Sequence, residues 1–394
     1  MMHFKILEIF LIILFIALIV TIIFRHAHIP IILGYVLVGT LVGPNVLGWL
    51  QNTQAIKDFA EFGVVLLMFT VGLEFSLPKL FSLWRPAFIL GSLQIFFSSV
   101  ITVIIGILLN MPLASSIVIG AIVAMSSTAI VTRQLLHQNE INTKHGENAI
   151  GILLFQDLAV IPILILMTRL SANDNQAIWL TLLLSFTKGV IAIAVILASG
   201  KWILKPLLRL IAGTQMIELF TLGVLFVSIG AAWFTNFLGL SYALGAFFSG
   251  IMLAECELKE KINAEIRPFR DVLLGLFFIS IGMLVNVTTW PTTWHWILLL
   301  VLGLMIGKGL LITVLSKFFK DNIVTALRTG LILAQGSEFG FAILTIALSH
   351  HLLPENWGQV ILAALLISFV LTPIIVRYNK KIAECLIAKS VLRL

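Results

Sequence analysis

Phe69-Thr70-Val71-Gly72-Leu73 returns as Ile279-Ser280-Ile281-Gly282-Met283, an offset of 282 − 72 = 210. The same offset carries Ser126-Ser127-Thr128 onto Gly336-Ser337-Glu338. An offset of 245 − 34 = 211 carries His28-Ile29-Pro30-Ile31-Ile32-Leu33-Gly34, followed by Gly39, onto Gly239-Leu240-Ser241-Tyr242-Ala243-Leu244-Gly245, followed by Gly250. Glycine motifs do recur wherever transmembrane helices pack closely. Three matches at a spacing of 210 or 211 point further, to the internal repeat of a membrane transporter.

The solvent for most of this chain is lipid. Of its 394 residues 60% are hydrophobic and 11% charged, whereas a soluble domain carries about 25% charged residues. Apolar runs long enough to cross a bilayer fall at 6–24, 30–50, 58–77, 86–109, 113–136, 146–168 and 178–199, then at 216–236, 239–255, 272–288, 294–316, 326–349 and 355–376. Thirteen spans put the termini on opposite sides. Twenty lysines and arginines, from Arg25 to the tail 377–394, fall on the side away from the N-terminus, against Lys5, Lys57 and Arg169 on the near side. The positive-inside rule then puts the N-terminus outside and the C-terminus in the cytoplasm, most simply of a bacterial inner membrane. No small-residue cleavage site follows the first apolar run, so 6–24 reads as a retained span. The net charge of +7 is the topology signal and implies no nucleic acid partner. Cys256 and Cys385 lack any CxxC spacing and read as inert helix residues.

The repeat pairs the second span with the ninth, the third with the tenth and the fifth with the twelfth. A shift of seven spans inverts orientation. The expected fold is therefore all-α: a first repeat at 6–168, a linking helix at 178–199 and a second, inverted repeat at 216–376, with substrates bound between repeats at the midplane. Met125-Ser126-Ser127-Thr128 and Gln335-Gly336-Ser337-Glu338-Phe339-Gly340 are polar interruptions at repeat-equivalent depth. They suit discontinuous helices whose freed backbone groups face an ion cavity, or small residues that let two helices cross.

The sixth span places Asp157 halfway along Gly151-Ile152-Leu153-Leu154-Phe155-Gln156-Asp157-Leu158-Ala159-Val160-Ile161-Pro162. An ionisable group at that depth is costly unless it is paired or hydrated, so its default reading is functional. Burial favours the protonated carboxyl and a nearby cation the ionised one, which is the competition an antiporter needs. Gln156 adds a neutral amide oxygen that suits a hard monovalent cation or helix-packing hydrogen bonds. Lys308, in Gly307-Lys308-Gly309, must find a carboxylate, a carbonyl dipole or a neutral state, and Asp157 is its natural partner. Glu338 lies in the second break. Glu74, near a cytoplasmic helix end, reads as a solvated or capping residue, while Lys188 and Glu218 lie close enough to span ends to snorkel and are assigned nothing.

These residues resemble the monovalent cation:proton antiporters, and within them the Kef-type potassium/proton exchangers. The matching motifs are Met125-Ser126-Ser127-Thr128-Ala129, Phe155-Gln156-Asp157-Leu158, Lys308 and Gln335-Gly336-Ser337-Glu338-Phe339, and the resemblance covers essentially the whole chain. It implies K+, or alternatively Na+, exchanged for H+ by alternating access. Asp157, Gln156, Ser127 and Thr128 would form the cation and proton site, with Lys308 as ion-pair partner. The crossing would be built from Ser126, Gln335, Gly336, Ser337 and Glu338. It implies homodimers with elevator-like movement of the core, and no cofactor. Kef-type proteins usually continue into a cytoplasmic nucleotide-binding domain. No GxGxxG fingerprint occurs here, so any regulatory domain or subunit is expected apart from these residues.

Other classes fit less well. A potassium channel needs carbonyl layers from repeated short loops, which are not found. An intramembrane hydrolase needs a second acid or a Ser/His arrangement, and Asp157 is the only mid-span aspartate. A sensor that no longer transports is expected to have lost Asp157 or Lys308, and both are present.

Overall fold

The computed structural model describes residues 2–26, 31–49, 54–74, 82–170, 194–238 and 242–391, with the single positions 187 and 191. Among the described residues the regular elements are helices: α1 (Met2–His26), α2 (Ile31–Val42), α3 (Gln54–Glu74), α4 (Arg85–Leu108), α5 (Leu113–Ala124), α6 (Thr128–His137) and α7 (Lys144–Leu170). There follow α8 (Lys205–Gly213), α9 (Ile217–Phe237), α10 (Tyr242–Ala254), α11 (Lys259–Leu284), α12 (Val287–Phe318), α13 (Ile323–Leu333), α14 (Glu338–Ser349) and α15 (Glu355–Val391). Among them α4, α9, α12, α15 and the Lys144–Leu164 part of α7 are each long and apolar enough to cross a membrane. The α13–α14 pair, bent by 44°, passes the same test when its two helices are taken together. Of the expected linking helix at 178–199, the described residues are 187, 191 and 194–199, all helical. From 194 the helix continues through a π-helical turn, Gly200–Leu204, into α8, so it runs on past the expected end at 199. Helix α8 buries Leu208 while exposing Arg209.

The repeat is visible in backbone geometry as well as in residue types. The break after α5 (Met125–Ser127) recurs after α13, and the helices that resume start at Thr128 and Glu338, with 338 − 128 = 210. Both restarts are capped by a serine hydroxyl: Ser127 accepts from the Ile130 amide and Ser337 from the Phe339 amide. This satisfies one of the donors a helix N-terminus leaves open. Asn110 and Lys320, again 210 apart, both take positive φ, 58° and 64°, in the turns that follow α4 and α12.

The chain divides into two compact units, Met1–Leu77 with Leu164–Val285, and Pro78–Ile163 with Asn286–Leu394. Each draws on both sequence halves. In the first unit α1 packs on α2 and α2 on α11, while α9 packs on α10 and α10 on α3. Shifting by one repeat carries the first set of contacts onto the second, as an inverted repeat requires. Glycines make the crossings close. A Cβ on Gly39 would overlap the Ile279 carbonyl oxygen, and one on Gly282 that of Val36; at the equivalent crossing Gly72 meets Phe247 and Gly250 meets Phe69. The recurring glycines therefore serve both packing and symmetry. In the second unit α4 packs on α5, as the Gly309–Phe318 part of α12 packs on α13.

Gly72→Leu or Gly282→Leu should lower thermal stability in detergent by the 1–3 kcal/mol or more typical of overpacking. Gly230→Ala, where an added Cβ meets nothing, should leave the melting temperature unchanged or raise it. Equal melting temperatures for all three variants would show that the close crossings are not what holds this unit together.

Candidate functional site

The second unit gathers the residues singled out in the sequence. Lipid offers no water to satisfy open backbone groups, so the two helix breaks must be satisfied from within. Ser126, Ser127, Gln335 and Ser337 are at most 1% exposed. At the first break the Ser126 amide donates to Gln156 Oε1 at 2.8 Å, and the Ser126 hydroxyl donates to the Leu333 carbonyl at 3.0 Å. That second bond ties one break to the other. At the second break the Gly336 amide donates to Ser368 Oγ at 3.2 Å. A Cβ on Gly336 would displace the end of the Leu365 side chain and crowd the same hydroxyl.

Asp157 lies near the middle of α7 and is 5% exposed. The Thr128 hydroxyl, on the first residue of α6, donates to its carboxylate at 3.0 Å. The carboxylate thus sits against the positive end of a helix that restarts inside the protein, a favourable place for negative charge. Gln156, next in sequence, meets the same break through the Ser126 amide and also Gln94 on α4.

Lys308 differs from the sequence expectation. Among the described residues it forms no ion pair with Asp157. Its ammonium donates instead to the carbonyls of Met125 at 2.6 Å and Gln335 at 2.9 Å, one from each break. It is 3% exposed and ends a π-helical turn, Gly303–Lys308. The physical reason is that interrupted helices expose carbonyls with no partner of their own, and a buried ammonium with three donors satisfies two of them at once. Gln335 contributes its carbonyl, while its side-chain Nε2 has no hydrogen-bond partner among the described residues. Glu338 occupies the first turn of α14 and is 8% exposed. Glu218 is exposed at the start of α9. The Glu74 side chain and Lys188 lie outside the described residues.

Two features escaped the sequence reading. Gln94 is fully buried on α4 and donates to the Ala124 carbonyl at the first break. A second network joins Arg328 on α13 to Asn379 on α15 and to Glu140 in the turn before α7, each at 2.5 Å, with His145 also on Glu140 at 3.3 Å. Burial alone would raise the Glu140 carboxyl, but the hydrogen bond to Arg328, the Arg328 charge and His145 together hold it below its ordinary value. No sequence signal distinguished Arg328 from the other basic residues near span ends.

The chain belongs to the sodium/hydrogen exchanger transmembrane family, whose model matches residues 11–378. That is a family of transporters and not of enzymes. Among similar proteins is a candidate K(+) efflux antiporter KefB of Alkalimonas amylolytica, 39% identical over 93% of this chain and 55% of the relative. K(+) efflux antiporter 2, chloroplastic, of Arabidopsis thaliana is 37% identical over 87% of this chain and 30% of its own length. The chain thus spans about half of the first relative and less than a third of the second. The solved sodium proton antiporter MjNhaP1 of Methanocaldococcus jannaschii superposes with a TM-score of 0.71 over 97% of this chain and 98% of that one, at 16% identity. That likeness concerns the fold.

Replacing Lys308 by Met keeps the side chain's length but removes both carbonyl hydrogen bonds. Leaving a buried acceptor without its partner costs about 1–3 kcal/mol, so the variant should melt well below wild type in the same detergent. A melting temperature equal to wild type would show that the two carbonyls do not depend on the ammonium.

Proposed function

We propose that this chain is the transmembrane part of an antiporter that exchanges a monovalent cation, K+ foremost, for H+ by alternating access at Asp157. The observation that carries the reading is the separation of tasks among the buried polar groups. Lys308 is engaged by carbonyls of the two breaks, whereas the Asp157 carboxylate faces a hydroxyl at a helix start. A carboxylate so placed can hold a proton or help to coordinate a dehydrated cation, and the two exclude each other electrostatically. Hydroxyl and amide oxygens, Thr128 and Gln156 foremost, would complete the ligand set, since alkali cations are hard acceptors of oxygen ligands. Ser127 serves the same region by capping α6.

Potassium is favoured because relatives of 37–39% identity are named K(+) efflux antiporters. The neutral Gln156 beside the acid also suits a larger, more weakly hydrated ion. Sodium is the second reading, supported by the family's name. In this proposal the two halves, 6–168 and 216–376, are inverted repeats of one transporter domain. The protein acts as a homodimer in a bacterial inner membrane with its N-terminus outside, and a cytoplasmic regulatory domain or subunit would act from the side of the tail 377–394.

The test is proton flux in proteoliposomes on addition of K+, Na+ or Rb+ in turn. K+ should drive the largest pH change. Asp157→Asn, which keeps the volume but cannot cycle a proton, should reduce that change at least about 100-fold while the protein remains folded, in line with loss of an essential acid-base group. Exchange at the wild-type rate in that variant would refute the assignment, and current without coupled proton movement would indicate a channel.

A further inference from the structure

Counting back one repeat from Lys308 gives Ser98, since 308 − 210 = 98, so the first repeat has no lysine at that place. The carbonyl at its break is nonetheless satisfied. Gln94, one helical turn before Ser98, donates from Nε2 to the Ala124 carbonyl at 3.0 Å and to Ser98 Oγ at 3.0 Å. Its Oε1 accepts from Gln156 Nε2 at 2.7 Å, and Gln156 Oε1 accepts from the Ser126 amide at 2.8 Å. The chain of bonds leaves the backbone at Ala124 and rejoins it at Ser126, with two side-chain amides replacing the helical hydrogen bonds that the break lacks. Both side chains are buried, at 0% and 1% exposure.

From this arrangement we propose that Gln94 is a positioning residue that fixes the orientation of the Gln156 amide and so sets the selectivity between K+ and Na+. The inference rests on the reading of Gln156 and Asp157 as the ion site. A primary amide is close to isosteric with its own flip, which exchanges an acceptor for a donor. A carbonyl oxygen attracts a cation and an N–H repels it. Two neighbours demand the same orientation here: the Ser126 amide requires an oxygen, and Gln94 Oε1 requires the NH2 group. Without Gln94 only Ser126 remains, through its amide and a 3.4 Å contact from Gln156 Nε2 to its hydroxyl. The amide oxygen is then free to shift toward a smaller ion. Cation discrimination by oxygen ligands depends on their number and rigidity as well as on cavity size, so a loosened oxygen should favour Na+ relative to K+.

The experiment compares apparent affinities and maximal rates for K+ and Na+ in proteoliposomes of the full chain, for wild type, Gln94→Leu, Gln94→Met and Ser98→Ala. Gln94→Met keeps length and volume in case the leucine variant fails to fold. Ser98→Ala removes a bond of equal length from the same side chain without touching Gln156. The preference for K+ should fall about fivefold or more in either Gln94 variant, the size of one hydrogen bond, and stay at the wild-type ratio in Ser98→Ala. Placed on a Gln156→Leu background, Gln94→Met should shift the ratio no further. An unchanged ratio with equal rate losses for both ions would overturn the proposal and leave Gln94 as a brace, as would a wild type that does not discriminate. Undiminished exchange in Asp157→Asn would instead refute the underlying site.

Discussion

A helix interrupted inside a bilayer frees amides and carbonyls that water cannot reach, and each must find a partner within the protein. This protein interrupts two, at Met125–Ser127 and after Leu333. Serine hydroxyls cap the two restarting helices, the Ser126 hydroxyl reaches the Leu333 carbonyl, and Ser368 receives the Gly336 amide. The carbonyls are met by Lys308 and Gln94. The repeat gives two equivalent breaks, while the chemistry that fills them is not symmetric: the Lys308 ammonium serves a carbonyl at each break, and an amide relay through Gln94 and Gln156 serves the first.

That asymmetry leaves a carboxylate in a distinctive setting. At the first break the acid of Asp157 meets the Thr128 hydroxyl while the neighbouring Gln156 amide is drawn into the backbone at Ser126. Lys308, for its part, is held by carbonyls of the two breaks.

Much of this was legible in the sequence. The offset of 210 located both breaks to within a residue or two, because the backbone demands small and polar residues there. Asp157 and Lys308 stood out because charge is costly in an apolar run. The partnership of Lys308 was not legible: opposite charges suggest pairing with Asp157, whereas backbone carbonyls, which every residue carries, leave no mark in a sequence. Gln94 was passed over for a related reason. A neutral glutamine in an apolar helix is unremarkable until its two partners are seen. Arg328 looked like one more cation near a span end, and only its burial against Glu140 and Asn379 sets it apart.

The central claim is that one carboxylate is shared between a proton and a cation. It is tested most directly by adding K+ to the detergent-solubilised protein in weak buffer and following the protons released. Wild type should release close to one proton per cation bound when Asp157 begins protonated, with affinity rising as pH rises, and Asp157→Asn should release none. Cation binding that is independent of pH, or equal proton release from the variant, would contradict the account.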